Sequence, residues 1–220
     1  MTVGTQARPL NSAEPMKIAD ALLRGVFRTP SGKCGLWAFR GDFYQWYGGS
    51  WVRREIEWVE DLCWTELEDA YYQEIGQDGI PRVRRVAPNR QKIDNIVRGL
   101  TARTRIPHSN IPVWLDDPSK DSTGIIAFND TLVDVKTGDL IERNEDWFDP
   151  VIMPVNYNPQ PDLCPRWMQC LNEWSDSDPE WIELLQRWMG YCLMNHRRHA
   201  RWLLMYGKVR SGKGTIGKVL

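Results

Sequence analysis

Gly207 and the pair Gly212-Lys213 stand at the spacing G-x-x-x-x-G-K, directly after the apolar run Trp202-Leu-Leu-Met-Tyr206. Few patterns constrain a chain more, because this one asks for a buried strand, a tight glycine turn and a helix in that order. Backbone N–H groups of such a turn, the start of the helix and one lysine converge on phosphate groups. Gly207, Lys208, Val209, Arg210, Ser211, Gly212, Lys213, Gly214 and Thr215 are therefore the candidate nucleotide-binding residues, with Trp202–Tyr206 as the expected strand. The strict pattern puts Ser or Thr directly after the lysine to hold Mg²⁺. Here Gly214 intervenes, and Thr215 is the candidate metal ligand.

Nucleotide hydrolysis also needs an acidic residue for Mg²⁺ and water, and usually an arginine from a neighbour. Only Ile216 to Leu220 follow the loop. The expectation is thus the front portion of a larger ATPase, inactive in hydrolysis by itself. A small-molecule nucleotide kinase shares the Gly-Lys-Gly-Thr form but carries the loop near its start, which sets that class aside.

Hydrophobic residues make up 42% of the 220, enough for one large or two small packed domains. The five cysteines, Cys34, Cys63, Cys164, Cys170 and Cys192, form an odd set without C-x-x-C spacing, so a reducing, cytoplasmic setting is expected. No apolar run approaches the roughly 20 residues of a membrane helix. His196 and His199 sit among arginines, which disfavours a zinc site.

The net charge of −1 hides a segregation along the chain. Nine acidic residues and no Lys or Arg lie between Glu55 and Asp78. Eight basic residues follow against the single acid Asp94: Arg82, Arg84, Arg85, Arg90, Lys92, Arg98, Arg103 and Arg105. Seven more, beginning with Arg197 and Arg198, lie between Arg197 and Lys218 with no acid. Two readings stay open for these patches: contact with a nucleic-acid backbone, or a solvated face neutralised by the acidic segment folding beside it.

The first 14 residues read as a loose polar tail. Pro15 then opens a helix over Met16–Arg24, ended by Gly25. Gly35–Arg53 alternates aromatic segments with glycine turns, the pattern of a β-meander. Its aromatics either fill a small core or stack on bases, the first being the commoner use. Helical spacing covers Glu55–Ile75 and again Pro88–Arg103, the second weakened by Gly99. Ile125–Arg143 reads as two or three short strands joined by Asn-Asp and Lys-Thr-Gly-Asp turns, and Pro150–Pro165 as an extended linker.

Tryptophans at 167, 174, 181 and 188 recur every seven residues, but Pro179 forbids one continuous helix. Two helices are expected, Pro165–Trp174 and one capped by Asp178 with Pro179 in its first turn. Trp181, Leu185, Trp188, Met189 and Cys192 would form the apolar stripe of the second.

Three segments resemble the phage and plasmid primase–helicases related to the poxvirus primase–helicase, whose ATPase belongs to the superfamily 3 helicases. Phe128-Asn-Asp-Thr-Leu-Val-Asp-Val-Lys-Thr-Gly-Asp-Leu is similar to the stretch F-N-G-x-L-D-L-x-T-G that precedes that ATPase. Tyr157-Asn-Pro-Gln-Pro-Asp-Leu-Cys-Pro-Arg-Trp and Leu184-Leu-Gln-Arg-Trp-Met-Gly-Tyr-Cys-Leu form the second. The third, Tyr206-Gly-Lys-Val-Arg-Ser-Gly-Lys-Gly-Thr, resembles Y-G-x-G-x-N-G-K-[GS]-T, with Val209 in place of a glycine and Ser211 in place of an asparagine. The likeness spans residues 125–220 and extends more loosely over 15–124.

The resemblance implies an α+β chain: a mixed small antiparallel sheet with helices (15–150), a linker and Trp-rich helical segment (151–200), then the first strand and P-loop of an AAA+-like ATPase domain (201–220). It further implies ATP and Mg²⁺ as cofactors, hexameric assembly, DNA at a replication origin or fork, and possible primase partners. The rival expectation is a non-catalytic DNA-binding or oligomerisation module that keeps the loop as a remnant.

Overall fold

The computed structural model describes residues 9–107, 111–160, 163–194 and 201–219. In chain order the first elements are β1 (Pro9–Leu10), α1 (Pro15–Arg24), β2 (Leu36–Phe39), β3 (Asp42–Tyr47), β4 (Ser50–Arg54), α2 (Ile56–Glu68), β5 (Tyr71–Ile75), β6 (Pro81–Arg85) and α3 (Arg90–Thr104). There follow β7 (Val113–Trp114), β8 (Ile125–Ala127), β9 (Thr131–Asp134), β10 (Leu140–Glu142), β11 (Trp147–Phe148), α4 (Pro165–Trp174), α5 (Pro179–Leu193) and α6 (Lys213–Val219). The chain is α+β, with small sheets whose pairings are antiparallel except for β1 beside β5. It divides into two compact units: the chain up to Lys120 with Asn144–Pro150, and Asp121–Arg143 with Val151 onward.

The first unit is built on α3. Asn89 caps it, its side-chain oxygen accepting from the Lys92 amide at 2.9 Å, and Ile93, Ile96, Val97 and Leu100 form one buried stripe. Gly99, which sequence propensity counts against the helix, lies where α3 meets α1. A Cβ there would stand 3.0 Å from the Met16 sulfur and 3.2 Å from the Ala19 Cβ. The missing side chain lets Ile18, Ala19 and Leu22 of α1 pack fully against α3. From α2, Val59, Cys63 and Leu67 enter the same core.

The expected meander is present as β2-β3-β4, turning at Gly41 and at Gly48-Gly49, all with positive φ. Its aromatics pack inward. Phe39, Tyr44 and Trp51 meet Phe148 of β11 with ring centroids 5.3–5.8 Å apart, and the Trp51 indole donates to the Trp147 carbonyl at 2.8 Å.

Helical spacing overran in one place. The helix expected over Glu55–Ile75 stops at Glu68, and Tyr71–Ile75 pairs instead with Pro81–Arg85. The reason lies in the turn: Gly79 takes φ +73°, the Asp78 carboxylate accepts from the Ile80 amide, and two adjacent tyrosines favour a pleated strand. Within the segment read as a loose tail, Pro9-Leu10 lie parallel to Tyr71-Tyr72, anchored by the buried Leu10.

In the second unit β8-β9-β10 form the expected hairpin sheet, burying Ile125, Ala127, Leu132 and Val133. After the sheet, Phe128 bridges to Met153 and its ring meets that of Tyr157 at 5.2 Å. Helices α4 and α5 are separate, as Pro179 requires. Asp178 caps α5 by accepting from the amides of Glu180 and Trp181. The core of the pair is Leu171, Ile182 and Leu185, joined by Ile216 of α6, with Trp167, Trp174, Trp181 and Met189 beside it. The stripe is thus rotated from the expected one: Ile182 is inside and Cys192 is exposed.

The strand expected over Trp202–Tyr206 does not form, since the run carries no strand pairing. It alternates nonetheless. Leu203 and Met205 pack on the helical core, while Trp202, Leu204 and Tyr206 are exposed. Among the described residues no helix is long and apolar enough to cross a membrane.

All five cysteines are free thiols. Burial, with Glu60 and Glu66 nearby, pushes the Cys63 thiol from 9.0 up to about 12. The folded chain therefore keeps this proton while an unfolded chain releases it above about pH 9, so stability falls as pH rises from 9 towards 12. The expected loss attributable to this group is at most about 1.4 kcal/mol per pH unit. Denaturant titrations of wild type and Cys63→Ala across that window should show the steeper alkaline decline only in wild type, and native-state alkylation should modify Cys164 and Cys192 while sparing Cys63.

Candidate functional site

The Gly207–Thr215 segment folds as a turn closed on its own lysine. Lys213 opens α6, and its ammonium donates to the Gly207 carbonyl at 2.9 Å, the Lys208 carbonyl at 2.6 Å and the Ser211 hydroxyl at 3.0 Å. Three donors meet three acceptors, so the ammonium is fixed at the centre of the loop. Ser211, standing where the resembling family has asparagine, fills that place with a hydroxyl acceptor. The Thr215 and Ile216 amides both donate to the Gly212 carbonyl, starting the helix.

Two loop residues adopt left-handed backbone, Arg210 at φ +66° and Gly212 at φ +82°. Val209, in the place of a glycine, is 91% exposed and is not among the positive-φ residues, so its side chain is accommodated without strain. Gly212 has a second constraint. A Cβ there would lie 2.3 Å from the Trp174 ring at the end of α4. The sequence shows Trp174 only as one of four tryptophans seven residues apart. Its role against the loop is not legible there, because nothing local distinguishes it from Trp167, whose ring stands edge-on to it at 5.9 Å.

Trp174, Arg210, Lys213, Thr215 and Lys218 border a cleft of about 710 Å³ with no carboxylate in its lining. A second cleft of about 580 Å³ shares Trp174, Gly207, Ser211 and Lys213 and continues over Trp181, Leu185 and Leu203, with Asp176 as its one acid. Volumes of this size suit a nucleotide. The donor set fits as well: a cationic rim and backbone for phosphate oxygens, the Thr215 hydroxyl for a hard divalent cation, and apolar wall for a base. Gly214 has open space where a Cβ would be, so the glycine between Lys213 and Thr215 meets no steric demand.

The basic residues of the 82–105 stretch lie in the first unit, and most of them are held in ion pairs. Arg82 pairs with Asp78 at 2.6 Å, Arg84 with Glu74 at 3.2 Å and Arg85 with Asp69 at 2.8 Å. Arg90 pairs with Glu60 and Asp94, Arg103 with Asp20, and Lys92 donates to the Val86 and Ala87 carbonyls. Four of the eight, Arg82, Arg84, Arg85 and Arg90, thus pair with acids of the 55–78 segment. Arg98 and Arg105 are exposed, with no ion pair among the described residues. Arg197 and Arg198 lie outside the described residues. Among the described residues no cluster of three or more His, Cys, Asp or Glu side chains could hold a metal ion.

Gly212→Ala tests the loop geometry. It adds a side chain to a left-handed position and drives it into the Trp174 ring, so the expected cost is about 1–3 kcal/mol, read as a lowered Tm. Gly214→Ala, with open space and ordinary backbone inside α6, should be neutral or raise stability by up to about 1 kcal/mol.

Among curated proteins none matches the chain. A family model described as D5 N terminal like matches residues 37–176, from β2 through α4 and the turn after it. The match covers more than half of the sequence and ends ahead of the Gly-Lys loop, which places Trp174 inside the matched region. The chain belongs to the D5 N terminal like family, the N-terminal part of phage and viral primase-helicase proteins.

Proposed function

We propose that the chain serves replication of a phage or other mobile element as the N-terminal region of an ATP-dependent, superfamily 3-like DNA helicase, with the Gly207–Thr215 loop gripping ATP and Mg²⁺. The observation that carries this reading is Lys213, centred in a glycine turn whose cleft is lined by Arg210, Lys213 and Lys218 and by no carboxylate. Phosphate oxygens would exchange for the three neutral oxygens the ammonium now holds, setting a charged acceptor against the charged donor. Gly212 sets the turn, Trp174 backs it, and Thr215 offers the hydroxyl for the cation. Bound nucleotide would supply the phosphoanhydride whose cleavage drives translocation. Hexameric assembly and DNA at a fork or origin belong to the same proposal, by way of the family.

One observation favours a second reading. Trp202–Tyr206 forms no strand, and a phosphate loop without that support is what a non-catalytic DNA-binding module with a remnant loop would keep. Equilibrium binding of a fluorescent ATP analogue with Mg²⁺ separates the two. Under the first reading wild type binds and Lys213→Ala binds at least about tenfold more weakly, the loss of charged hydrogen bonds worth roughly 1.5–3 kcal/mol. Equal absence of binding in both proteins, beside salt-steep DNA affinity, would decide for the module.

A further inference from the structure

The first unit holds a second cationic cleft, far in sequence from the Gly-Lys loop and independent of it. About 490 Å³ in volume, it lies between the last turn of α1, the loop Arg28–Cys34, the start of β2 and the last turn of α3. Arg24, Arg28, Lys33 and Arg103 line it against a single acid, Asp20, with Trp37 as its aromatic wall.

Pairing decides which of these charges remain available. Arg103 is held by Asp20 through two hydrogen bonds of 3.0 and 3.3 Å, and Lys33 by Asp146. Arg24 and Arg28 form no ion pair among the described residues. Arg28 is nevertheless placed: its Nε donates to the Gly32 carbonyl at 2.9 Å, and its guanidinium packs where a Cβ of Gly32 would stand. Gly32 takes φ +91°, so the loop is shaped to hold that fork. Fixing Arg28 through Nε leaves its terminal nitrogens as donors, the arrangement that suits a tetrahedral oxyanion.

We propose that this cleft receives one nucleotide of a single-stranded nucleic acid, with Arg24 and Arg28 on the phosphodiester and the base beside Trp37. The volume matches one nucleotide, and a base still stacked in a duplex could not enter. The shared chemistry is a phosphate ester carrying an aromatic base, which a free nucleoside monophosphate also offers. The proposal differs from the phosphate reading of the 82–105 stretch, since it draws on two arginines outside that stretch.

The test uses the full chain without ATP. Fluorescence anisotropy measures binding of a labelled thymidine oligomer of roughly 15 nucleotides, a duplex of the same length, and unlabelled thymidine monophosphate as competitor. The expected result is tighter binding of the single strand than of the duplex. Arg24→Glu/Arg28→Glu should weaken single-strand binding at least about tenfold and flatten its salt dependence by about one unit of log–log slope per lost contact. Arg166→Glu/Arg187→Glu, an equal charge change in the second unit, should weaken it less than about threefold. Because Arg28 braces its loop, Arg24→Glu alone serves as the milder variant and should move binding in the same direction. Competition by the monophosphate at the oligomer's own affinity, lost in Arg24→Glu, would assign the cleft to the free nucleotide. Binding by both cleft variants indistinguishable from wild type would overturn the proposal.

Discussion

The contact between α1 and α3 at Gly99 underlies the first unit. The side chains at a helix contact set how closely the two axes approach, and here one of them is a hydrogen atom facing Met16 and Ala19. Both consequences of that contact reach function. It brings the last turns of α1 and α3 side by side, so that Asp20 and Arg103 can join across them. It also presents Arg24 at the rim of the cleft beside Trp37.

Charge in this unit acts more by cancellation than by cohesion. The arginines of β6 and their partners are mostly solvent-exposed, where an ion pair contributes about 0–1 kcal/mol. Their pairing matters because it brings opposite charges of the linear sequence side by side, which weakens the local positive field around β6. The acidic block of α2 and β5 and the basic block of β6 and α3 are adjacent in the chain and become partners in the fold.

Legibility in the sequence followed the range of the interaction. The α5 cap at Asp178, the break at Pro179, the meander turns and the hairpin over Ile125–Arg143 are set by neighbours a few residues apart, and they stand where spacing puts them. The end of α2 was misplaced because the apolar spacing of helix and strand overlap over Leu67–Ile75, and the glycine turn that breaks the tie lies beyond them. Trp202–Tyr206 has the composition of a strand, but a strand needs hydrogen-bonding partners, which no composition supplies. A turn at Gly212 followed by a helix from Lys213 is legible from the glycines and lysine. The indole behind it and the arginines at 24 and 28 are not, since both depend on contacts between distant parts of the chain.

The turn at Gly212 rests directly on an aromatic ring that terminates a helix. There is no slack between backbone and indole, and the Trp174 ring is itself met edge-on by Trp167 of the same helix. The Gly212 turn and the last residue of α4, which falls within the family-matched residues, are therefore neighbours inside the second unit and cannot be repacked separately.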